Sequence, residues 1–420
     1  MLAKTPLMGW NSWDCYGAGA TEEIVKKNAE YMAKNLKQYG YEYVVVDIQW
    51  YQPTAKTHEY VPFADLCIDE YSRLQPAENK FPSAVGGNGF APLAEYIHSL
   101  GLKFGIHIMR GIPRQAVHNN MKILGSSKTA RQIAKTGSIC VWNSDMYGVD
   151  PEKEGAKEYY DSIMKLYASW GVDFIKCDDI CRELPHEESE MKILCDAVKN
   201  CGRDIVLSLS PGPALIERAE LYKQVCNMWR ITDDFWDQWE LLYNMFERCE
   251  KWATHCGAGH WGDADMLPVG AILQDYDESN RTKFTAEEQK IMMALWCIFR
   301  SPLMIGAELT KLDGFTSELL TNRGILDMHK SARHSHQVWR KDIGGVEHIL
   351  WAAADSEGGE YIAIFNAGEK DSNISLDLAD VEIYKNVNAQ ELWSGEKLTG
   401  VSSIKTQLAS HGAKAYRITY

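Results

Sequence analysis

The sequence of 420 residues predicts a (β/α)8 TIM barrel followed by a C-terminal antiparallel β-sandwich. Over the first three-quarters of the chain, short apolar runs typical of buried parallel strands alternate with segments whose apolar residues recur at helical spacing. Eight such strands occur, a number that favours a closed barrel over an open doubly wound sheet. No glycine-rich dinucleotide-binding or phosphate-binding motif follows any of them, which also argues against the open sheet.

The predicted strands of the barrel are residues 8–10, 43–47, 103–108, 174–178, 205–210, 225–230, 259–263 and 302–306. Helical spacing of apolar residues predicts helices between them, at residues 25–36, 93–100 and 187–198. Asp150 and Pro151 are expected to open a further helix, because an acid caps a helix N-terminus and proline suits its first turn. Thr285 and Glu288 form the pattern of a capping box, which predicts a helix that runs through Phe299.

From about Val338 the pattern changes to short runs of alternating polar and apolar residues. Residues 361–365 and 374–378 are strand-like, and Tyr416, Ile418 and Tyr420 share one face at the end of the chain. Such runs, separated by turn signals, are typical of an antiparallel sandwich. With a boundary near residues 328–338, the sequence predicts a barrel over residues 1–330 and a sandwich over residues 335–420.

The composition argues against several kinds of partner and site. The formal net charge of −14 disfavours nucleic acid or an anionic membrane as the main partner, and no apolar run approaches the length of a membrane span. The first six residues contain no apolar signal segment, so the sequence predicts a cytoplasmic protein. Eleven cysteines in no repeating framework indicate free thiols and show no zinc-ligand spacing. The oligomeric state stays open, and a homo-oligomer is compatible with the sequence.

The segment Phe174–Asp179 carries the strongest chemical signal in the chain. A predicted buried strand runs here into a lysine and two acids, and acids at the carboxyl end of a barrel strand lie where catalysis takes place. Lys176 and Asp178 share one face of the strand, so the lysine charge would keep the acid ionised, as a nucleophile requires. A helix cap or a surface ion pair is the alternative interpretation.

Polar or aromatic residues follow each of the first seven predicted strands. They are Trp10 to Asp14, Asp47 to Trp50, His107, Lys176 and Asp178, Ser208 and Ser210, Trp229 to Asp234, and Trp261 to Met266. Acids mixed with tryptophans suit a neutral polyhydroxylated substrate, because carboxylates bind hydroxyl groups and indole rings cover the apolar face of a sugar. The predicted ligand is therefore a small oligosaccharide or glycoside.

Several of these segments resemble, in the same order, those of the α-galactosidase family, glycoside hydrolase family 27. They are Pro6 to Trp13, the strand that ends at Asp47, Lys176-x-Asp178, Arg230-x-x-x-Asp234, Asp265 to Leu267, and His411 to Ala413. The resemblance implies a retaining exo-glycosidase that needs no metal or cofactor. It places the nucleophile on Asp178 and the general acid/base on Asp234, with Asp233 as the rival for the second role.

The resemblance also implies which residues hold the sugar. Lys176 would contact a substrate hydroxyl, and Arg230 would bind the 2- or 3-hydroxyl of the ring. The other expected contacts are Trp13, Asp47, Ile48, His107, Ser210, Asp265 and Met266. In a retaining mechanism the two catalytic carboxyls stand roughly 5 Å apart across the glycosidic bond.

Ile48 is the main departure from the family pattern. Family α-galactosidases usually place two adjacent acids after the second strand to hold the 4- and 6-hydroxyls of galactose, and here Asp47 is followed by isoleucine. A buried galactose 6-hydroxyl without a partner would cost on the order of 1–3 kcal/mol. β-L-Arabinopyranose lacks the whole CH2OH group, so the sequence predicts a preference for β-L-arabinopyranosides over α-D-galactopyranosides. In the alternative interpretation, the Ile48 side chain turns into the barrel wall and another group binds the 6-hydroxyl of galactose. The protein is then an ordinary α-galactosidase.

Smaller departures leave other questions open. His107 stands where the family often has tyrosine, and Ser208 to Gly212 lacks larger recognition residues, which leaves the contacts at the sugar 2-position undecided. Ile180 replaces a cysteine that pairs across the active site in secreted relatives. Two remoter alternatives are a metal-dependent barrel hydrolase that uses His107, Asp178 and Asp265, and a non-catalytic sugar-binding protein.

Overall fold

The computed structural model describes residues 1–182 and 188–420, and its first part is a barrel of eight parallel strands. The strands of this part are β1 (Met8–Asn11), β2 (Tyr43–Val46), β3 (Lys103–Met109), β4 (Ile112–Pro113), β5 (Ala134–Ile139), β6 (Met146–Val149), β7 (Phe174–Asp178), β8 (Val206–Leu209), β9 (Met228–Arg230), β10 (Trp261–Asp263) and β11 (Leu303–Ile305). Eight of them form one sheet in the order β10-β9-β8-β7-β3-β2-β1-β11. The sheet closes just beyond β10, where Leu267 pairs in parallel with Ile305. The predicted barrel is confirmed.

Helices alternate with the barrel strands along the chain. They are α1 (Trp13–Tyr16), α2 (Glu22–Asn35), α3 (Ala91–Ser99), α4 (Arg114–His118), α5 (Ala130–Ile133), α6 (Ala156–Ser169), α7 (Glu188–Lys199), α8 (Ala219–Val225), α9 (Trp239–Trp252), α10 (Ala286–Phe299), α11 (Gly314–Thr321) and α12 (Arg323–Ser331). The capping box at Thr285 and Glu288 is present and begins α10. The helix predicted at residues 187–198 corresponds to α7, although Glu187 lies outside the described residues.

One predicted helix start is wrong. The sequence predicts a helix that opens at Asp150 and Pro151, but α6 begins at Ala156. The Asp150 side chain instead accepts a hydrogen bond from the amide of Glu152 (3.2 Å) and stabilises a turn. Gly155 then adopts a φ of 97°, a left-handed conformation that a right-handed helix cannot contain, so the helix begins only after it.

After α12 the chain forms two antiparallel sheets. Their strands are β12 (Ala332–Asp342), β13 (Glu347–Asp355), β14 (Glu360–Asn366), β15 (Ser372–Asp377), β16 (Val387–Glu391), β17 (Lys397–Val401), β18 (Ser403–Leu408) and β19 (Ala413–Thr419). One sheet has the order β12-β13-β14-β19-β16-β17, and β15 pairs with β18 in the other. Alternation along β15 buries Ile374 and Leu376 in a core shared with Ile362 of the larger sheet, and the predicted sandwich is confirmed.

The sandwich packs on the barrel through its larger sheet. Phe365 of β14 lies edge-to-face on Phe246 of α9, with ring centroids 5.0 Å apart. Every cysteine of the chain is a free thiol, and most of these thiols are buried. Within the described residues, no helix has both the length and the apolar character needed to span a membrane.

Candidate active site

A cavity of about 290 Å³ opens at the carboxyl ends of the barrel strands. Its walls are formed by Trp13, Asp14, Asp47, Ile48, Tyr60, Trp142, Lys176, Asp178, Arg182, Pro211, Asp233, Asp234, Phe235, Trp236, Asp265 and Met266. Most of the residues that the sequence analysis singles out therefore meet at one place. The three others, His107, Ser210 and Arg230, are buried and contact acids of the cavity wall.

Asp178 is the last residue of β7 and is firmly held. Its Oδ2 lies 3.0 Å from Nε2 of His107, and its Oδ1 accepts a hydrogen bond of 2.9 Å from the hydroxyl of Ser210. His107 lies inside β3 rather than at its end, in register with Lys176 of β7. Burial alone would raise the pKa of Asp178, but the hydrogen bond with His107 and the charge of Lys176 outweigh burial and hold the pKa well below its usual range. Asp178 is thus an ionised carboxylate in a fixed orientation.

Asp47 follows β2 and is the centre of a second hydrogen-bond network. Its Oδ2 accepts hydrogen bonds from Nδ2 of Asn11 (2.7 Å) and from Nζ of Lys176 (2.9 Å). Burial opposes the ionised form, but the charge of Lys176 together with the other neighbouring groups, including the hydrogen bond from Asn11, outweighs it and lowers the pKa of Asp47. The side-chain oxygen of Asn11 also accepts a hydrogen bond of 2.8 Å from the amide of Trp13. Asn11 therefore orients both the carboxylate of Asp47 and the turn that carries the indole of Trp13. A sugar hydroxyl here would meet both an anionic acceptor and a cationic donor.

Asp234 lies on the loop after β9 and is far more exposed, with 61% of its side chain accessible. Its Oδ1 accepts a hydrogen bond from Nη2 of Arg230 at 3.0 Å. The neighbouring acid, Asp233, also lines the cavity but pairs with Nη1 of Arg182 at 2.9 Å. Of the two rivals, Asp234 is therefore the one bonded to the buried arginine.

Asp265 lies buried on the other side of Arg230. Its Oδ2 is 2.8 Å from Nη2 of Arg230 and accepts the amide of Phe235 at 2.8 Å. Burial raises the pKa of Asp265, Arg230 opposes the rise, and the charges of Asp234 and Asp263 add to it. Arg230 consequently bridges a buried acid and an exposed one.

Ile48 and Asp47 contribute adjacent side chains to the cavity wall. Ile48 is only 2% exposed, and its amide donates a hydrogen bond of 2.9 Å to Oδ1 of Asp47. The wall of the cavity at this point is an aliphatic surface directly beside a carboxylate.

Asp14 is a wall residue that the sequence analysis does not single out as a ligand. It lies in α1, buried, and its Oδ2 has no hydrogen-bond partner among the described residues. A Cβ on Gly306 would lie 2.0 Å from that oxygen, so only glycine leaves room for the carboxyl. Burial and the nearby charge of Asp265 raise the pKa of Asp14 well above its usual value. One feature of the sequence could have indicated Asp14: it lies in the polar segment that follows the first barrel strand.

Aromatic side chains from loops complete the mouth of the cavity. The ring of Tyr60 stacks on Trp13 with centroids 5.8 Å apart, and Trp142 lies 5.6 Å from Tyr60. Tyr60 belongs to the long connection after β2, and Trp142 to the connection between β5 and β6. Neither residue follows a barrel strand directly, so no strand-end pattern could have indicated them.

The three residues that a metal-dependent hydrolase would use are already bonded within the protein. His107 is bonded to Asp178, whereas Asp265 is paired with Arg230. Across residues 1–182 and 188–420, no group of three or more His, Cys, Asp or Glu side chains is arranged to hold a metal ion.

Comparison with known families identifies both parts of the chain. The family described as "Alpha galactosidase A" matches residues 5–152 and 125–331, and "Alpha galactosidase C-terminal beta sandwich domain" matches residues 346–418. The chain belongs to the α-galactosidase family, glycoside hydrolase family 27. An α-galactosidase from Coffea arabica is 29% identical over 422 residues, which cover 100% of this chain and 94% of that protein. The predicted family membership is confirmed.

Solved structures of this glycosidase family are also similar. A β-L-arabinopyranosidase from Geobacillus stearothermophilus, in a substituted form in complex with arabinose, is 54% identical with a TM-score of 0.96, and the match covers 100% of this chain and 98% of that one. A putative α-N-acetylgalactosaminidase from Bacillus halodurans is 50% identical with a TM-score of 0.89, over 100% and 98% of the two chains. The protein is therefore a glycosidase that acts on sugar substrates, as the sequence predicts.

Proposed function

We propose that the protein is a retaining exo-glycosidase that releases terminal galacto-configured pyranosides and prefers β-L-arabinopyranosides to α-D-galactopyranosides. The observation that carries the preference is Ile48, an aliphatic wall beside Asp47. It packs against a ring carbon that bears no CH2OH group, but it leaves a galactose 6-hydroxyl without a partner, at a cost on the order of 1–3 kcal/mol. Such a difference changes kcat/KM roughly ten- to two-hundred-fold. Similarity to the G. stearothermophilus β-L-arabinopyranosidase supports the same substrate class.

The reaction proceeds by double displacement. Asp178 attacks the anomeric carbon through a carboxylate oxygen while Asp234 donates a proton to the departing glycosidic oxygen. The bond from the anomeric carbon to the leaving group breaks as the ester to Asp178 forms. Asp234 then accepts a proton from water, the resulting hydroxide attacks the anomeric carbon, and Asp178 leaves as a carboxylate. The persistent ionisation of Asp178 and the exposure of Asp234 support these two roles.

The remaining polar groups of the cavity bind the sugar hydroxyls. Asp47 accepts from a hydroxyl, and Lys176, already bonded to Asp47, donates to the same or the adjacent one. The indole of Trp13 covers an apolar face of the ring. Arg230 holds Asp234 and Asp265 in position from beneath the cavity wall.

An ordinary α-galactosidase is the second candidate, and one observation favours it. The Asp14 carboxyl lines the same cavity and has an oxygen without a partner in the described chain, so it is available to serve a 6-hydroxyl. In that case Asp14→Asn would lower kcat/KM for galactosides and leave that for arabinopyranosides unchanged.

The deciding experiment compares kcat/KM for 4-nitrophenyl β-L-arabinopyranoside and 4-nitrophenyl α-D-galactopyranoside. We expect the native protein to favour the arabinopyranoside and Ile48→Asp to move the ratio toward the galactoside by about tenfold or more. Ile48→Asn provides a neutral hydrogen-bonding group in case the buried charge impairs folding, and Ile48→Val is the matched aliphatic control that should keep the ratio. A native preference for the galactoside that Ile48→Asp and Ile48→Asn leave unchanged contradicts the proposed specificity.

Stereochemistry tests the mechanism separately. In a retaining reaction the first sugar product has the anomeric configuration of the substrate, and proton NMR of the first minutes of hydrolysis records it. An inverted first product would rule out Asp178 as a nucleophile.

We also propose that the protein works in a reducing compartment such as the cytoplasm. The free state of every cysteine and the isoleucine at position 180 support this. Thiol titration of the denatured protein, isolated without reductant, should detect all eleven cysteines. A substantially lower count would argue for an oxidising compartment.

A further inference from the structure

A second, shallower groove adjoins the catalytic cavity and shares two aromatic side chains with it. Its volume is about 760 Å³, and Tyr60 and Trp142 belong to the walls of both. Their ring centroids are 5.6 Å apart, and Tyr60 in turn stacks on Trp13 inside the cavity. The aromatic surface is therefore continuous from the sugar cavity into the groove.

Large apolar side chains in and beside the groove are exposed. The exposed fractions are 77% for Phe63, 86% for Val141, 49% for Ile139 and 40% for the adjacent Val61. They come from two separate segments of the chain, the connection after β2 and the end of β5 with the loop that follows it. The amide of Phe63 joins the two segments by donating a hydrogen bond of 2.7 Å to the hydroxyl of Ser144. Contiguous exposed apolar surface of this kind marks a binding site more often than scattered single residues do.

Several polar groups of the groove are already engaged by the protein, although Nδ2 of Asn143 and Nε2 of His58 have no hydrogen-bond partner among the described residues. The Ser144 hydroxyl accepts the amide of Phe63, and Oδ1 of Asn143 accepts the amide of Asp145 at 2.7 Å. The guanidinium of Arg114 lies over the ring of Phe63 at 5.7 Å and donates through Nε to a backbone carbonyl. A second sugar ring would need several free donors and acceptors in fixed positions, whereas this surface offers mainly aromatic and aliphatic contacts.

The groove also adjoins the loop that carries Asp234. Trp236, two residues after Asp234, contacts His58 of the groove wall with ring centroids 5.7 Å apart. The same His58 ring lies 4.9 Å from Trp13 of the cavity. A glycosidic oxygen protonated by Asp234 would therefore carry its substituent out of the cavity past these rings and onto Tyr60 and Trp142.

We propose that this groove is the leaving-group subsite and that it takes a flat apolar aglycone, of the aryl or polycyclic class, rather than a second sugar. The proposal rests on the proposed glycosidase mechanism. Tyr60 and Trp142 stack on the aglycone next to the glycosidic bond, and Phe63 and Val141 cover its outer part.

The test uses the intact protein and two leaving groups, 2-naphthol and glucose, each linked to the sugar that the protein prefers. The double variant Phe63→Asn and Val141→Thr removes the outer apolar surface, and asparagine tolerates the φ of 54° at position 63. We expect kcat/KM for the naphthyl glycoside to fall about tenfold and that for the disaccharide to change less than twofold. Comparing variant with native protein on one substrate cancels the intrinsic reactivity of the leaving group.

Two controls separate binding of the aglycone from other effects. Val85→Thr is a matched substitution of another exposed valine outside both pockets and should change neither value. The kcat for an activated 2,4-dinitrophenyl glycoside should stay unchanged in the double variant, because hydrolysis of the glycosyl-enzyme then limits the rate after the aglycone has left.

Three outcomes would overturn the proposal: an equal loss on both substrates, no loss on the naphthyl glycoside, or a changed oligomeric mass of the double variant in light scattering. The last would show that the patch is an interface between copies of the chain. Failure of the proposed function is recorded by different measurements, namely the ratio of arabinopyranoside to galactoside hydrolysis and the anomeric configuration of the first product.

Discussion

Asp178 and Asp234, the two carboxylates to which we assign the catalytic roles, differ in the backbone that carries them. Asp178 ends a barrel strand, is buried, and is bonded on both oxygens, by His107 and by Ser210. Asp234 belongs to a loop, is 61% exposed on its side chain, and has one bond, to Arg230. One acid is buried and bonded on both oxygens, whereas the other is held by one arginine and is open to solvent.

This difference matches what each step of the proposed double displacement requires. A nucleophile must be anionic whenever substrate arrives, and buried donors keep it so even though burial by itself favours the neutral form. An acid/base must both release and accept a proton in each cycle, which is easier for a carboxyl in contact with water. The strand end therefore suits the first role and the loop suits the second.

The largest effect is expected at the fixed acid. Asp178→Asn keeps the size of the side chain but removes the attacking oxygen, so kcat/KM should fall about 10⁴-fold or more for every leaving group. Measurement on 4-nitrophenyl and 2,4-dinitrophenyl glycosides, together with a thermal melt to verify folding, checks this. Activity above a tenth of native in a folded variant would remove Asp178 from the mechanism.

The exposed acid should show a smaller loss that depends on the leaving group. Asp234→Asn is expected to lower kcat/KM by about 10²–10⁴-fold for alkyl or sugar leaving groups that need a proton, and far less for 2,4-dinitrophenol, which does not. The matched control is Asp233→Asn, whose carboxyl pairs with Arg182 and should cost less than about threefold. If Asp233→Asn shows the large loss and Asp234→Asn the small one, Asp233 is the acid/base.

Substitution of His107, the hydrogen-bond partner of Asp178, tests why that acid stays ionised. Because the hydrogen bond with His107 lowers the pKa of Asp178 against burial, His107→Phe should raise this pKa. The acidic limb of the kcat/KM profile then moves to higher pH, and kcat/KM near neutral pH falls about tenfold. His98→Gln serves as control, since His98 lies 2.7 Å from Asp173 in a similar pair away from the cavity. An unshifted acidic limb in His107→Phe would mean that other groups keep Asp178 ionised.

Much of the barrel and of the strand-end chemistry could be predicted because both depend on local pattern. An apolar run followed by an acid indicates a buried strand and its reactive end, and alternation puts Lys176 and Asp178 on one face. The helix start at Asp150 was predicted wrongly because the same acid and proline also suit a turn, and Gly155 decided between them. In such cases a local pattern is compatible with two structures.

The features that could not be predicted depend on residues distant in sequence. Asp14 has room for its carboxyl only because Gly306 has no Cβ, and its Oδ2 is buried there without a hydrogen-bond partner among the described residues. Tyr60 and Trp142 meet because two long loops fold over the same strand ends. Neither arrangement produces a periodic pattern or a characteristic residue spacing in the sequence.

Asp14 extends the comparison to an acid that is buried like Asp178 but lacks its donors. Burial and the charge of Asp265 raise the pKa of Asp14 in the folded protein above the unfolded value of about 3.9. The contribution of this carboxyl to stability is therefore fully present below pH 4 and is lost progressively as pH rises toward the folded pKa. Asp14→Asn removes that penalty, and we expect it to raise the free energy of unfolding, more at pH 8 than at pH 5.

Urea unfolding of the native protein and of Asp14→Asn at pH 5 and pH 8 measures this smallest effect. Asp47→Asn is the opposite control, because the charge of Lys176 lowers the pKa of Asp47, and its ionised form stabilises the fold above the unfolded pKa. Asp47→Asn should accordingly lose stability at both pH values, whereas Asp14→Asn gains. An equal loss of stability in the two variants would show that the ionised carboxylate of Asp14 has a partner. Asp14 would then not differ from Asp178 in being buried without donors.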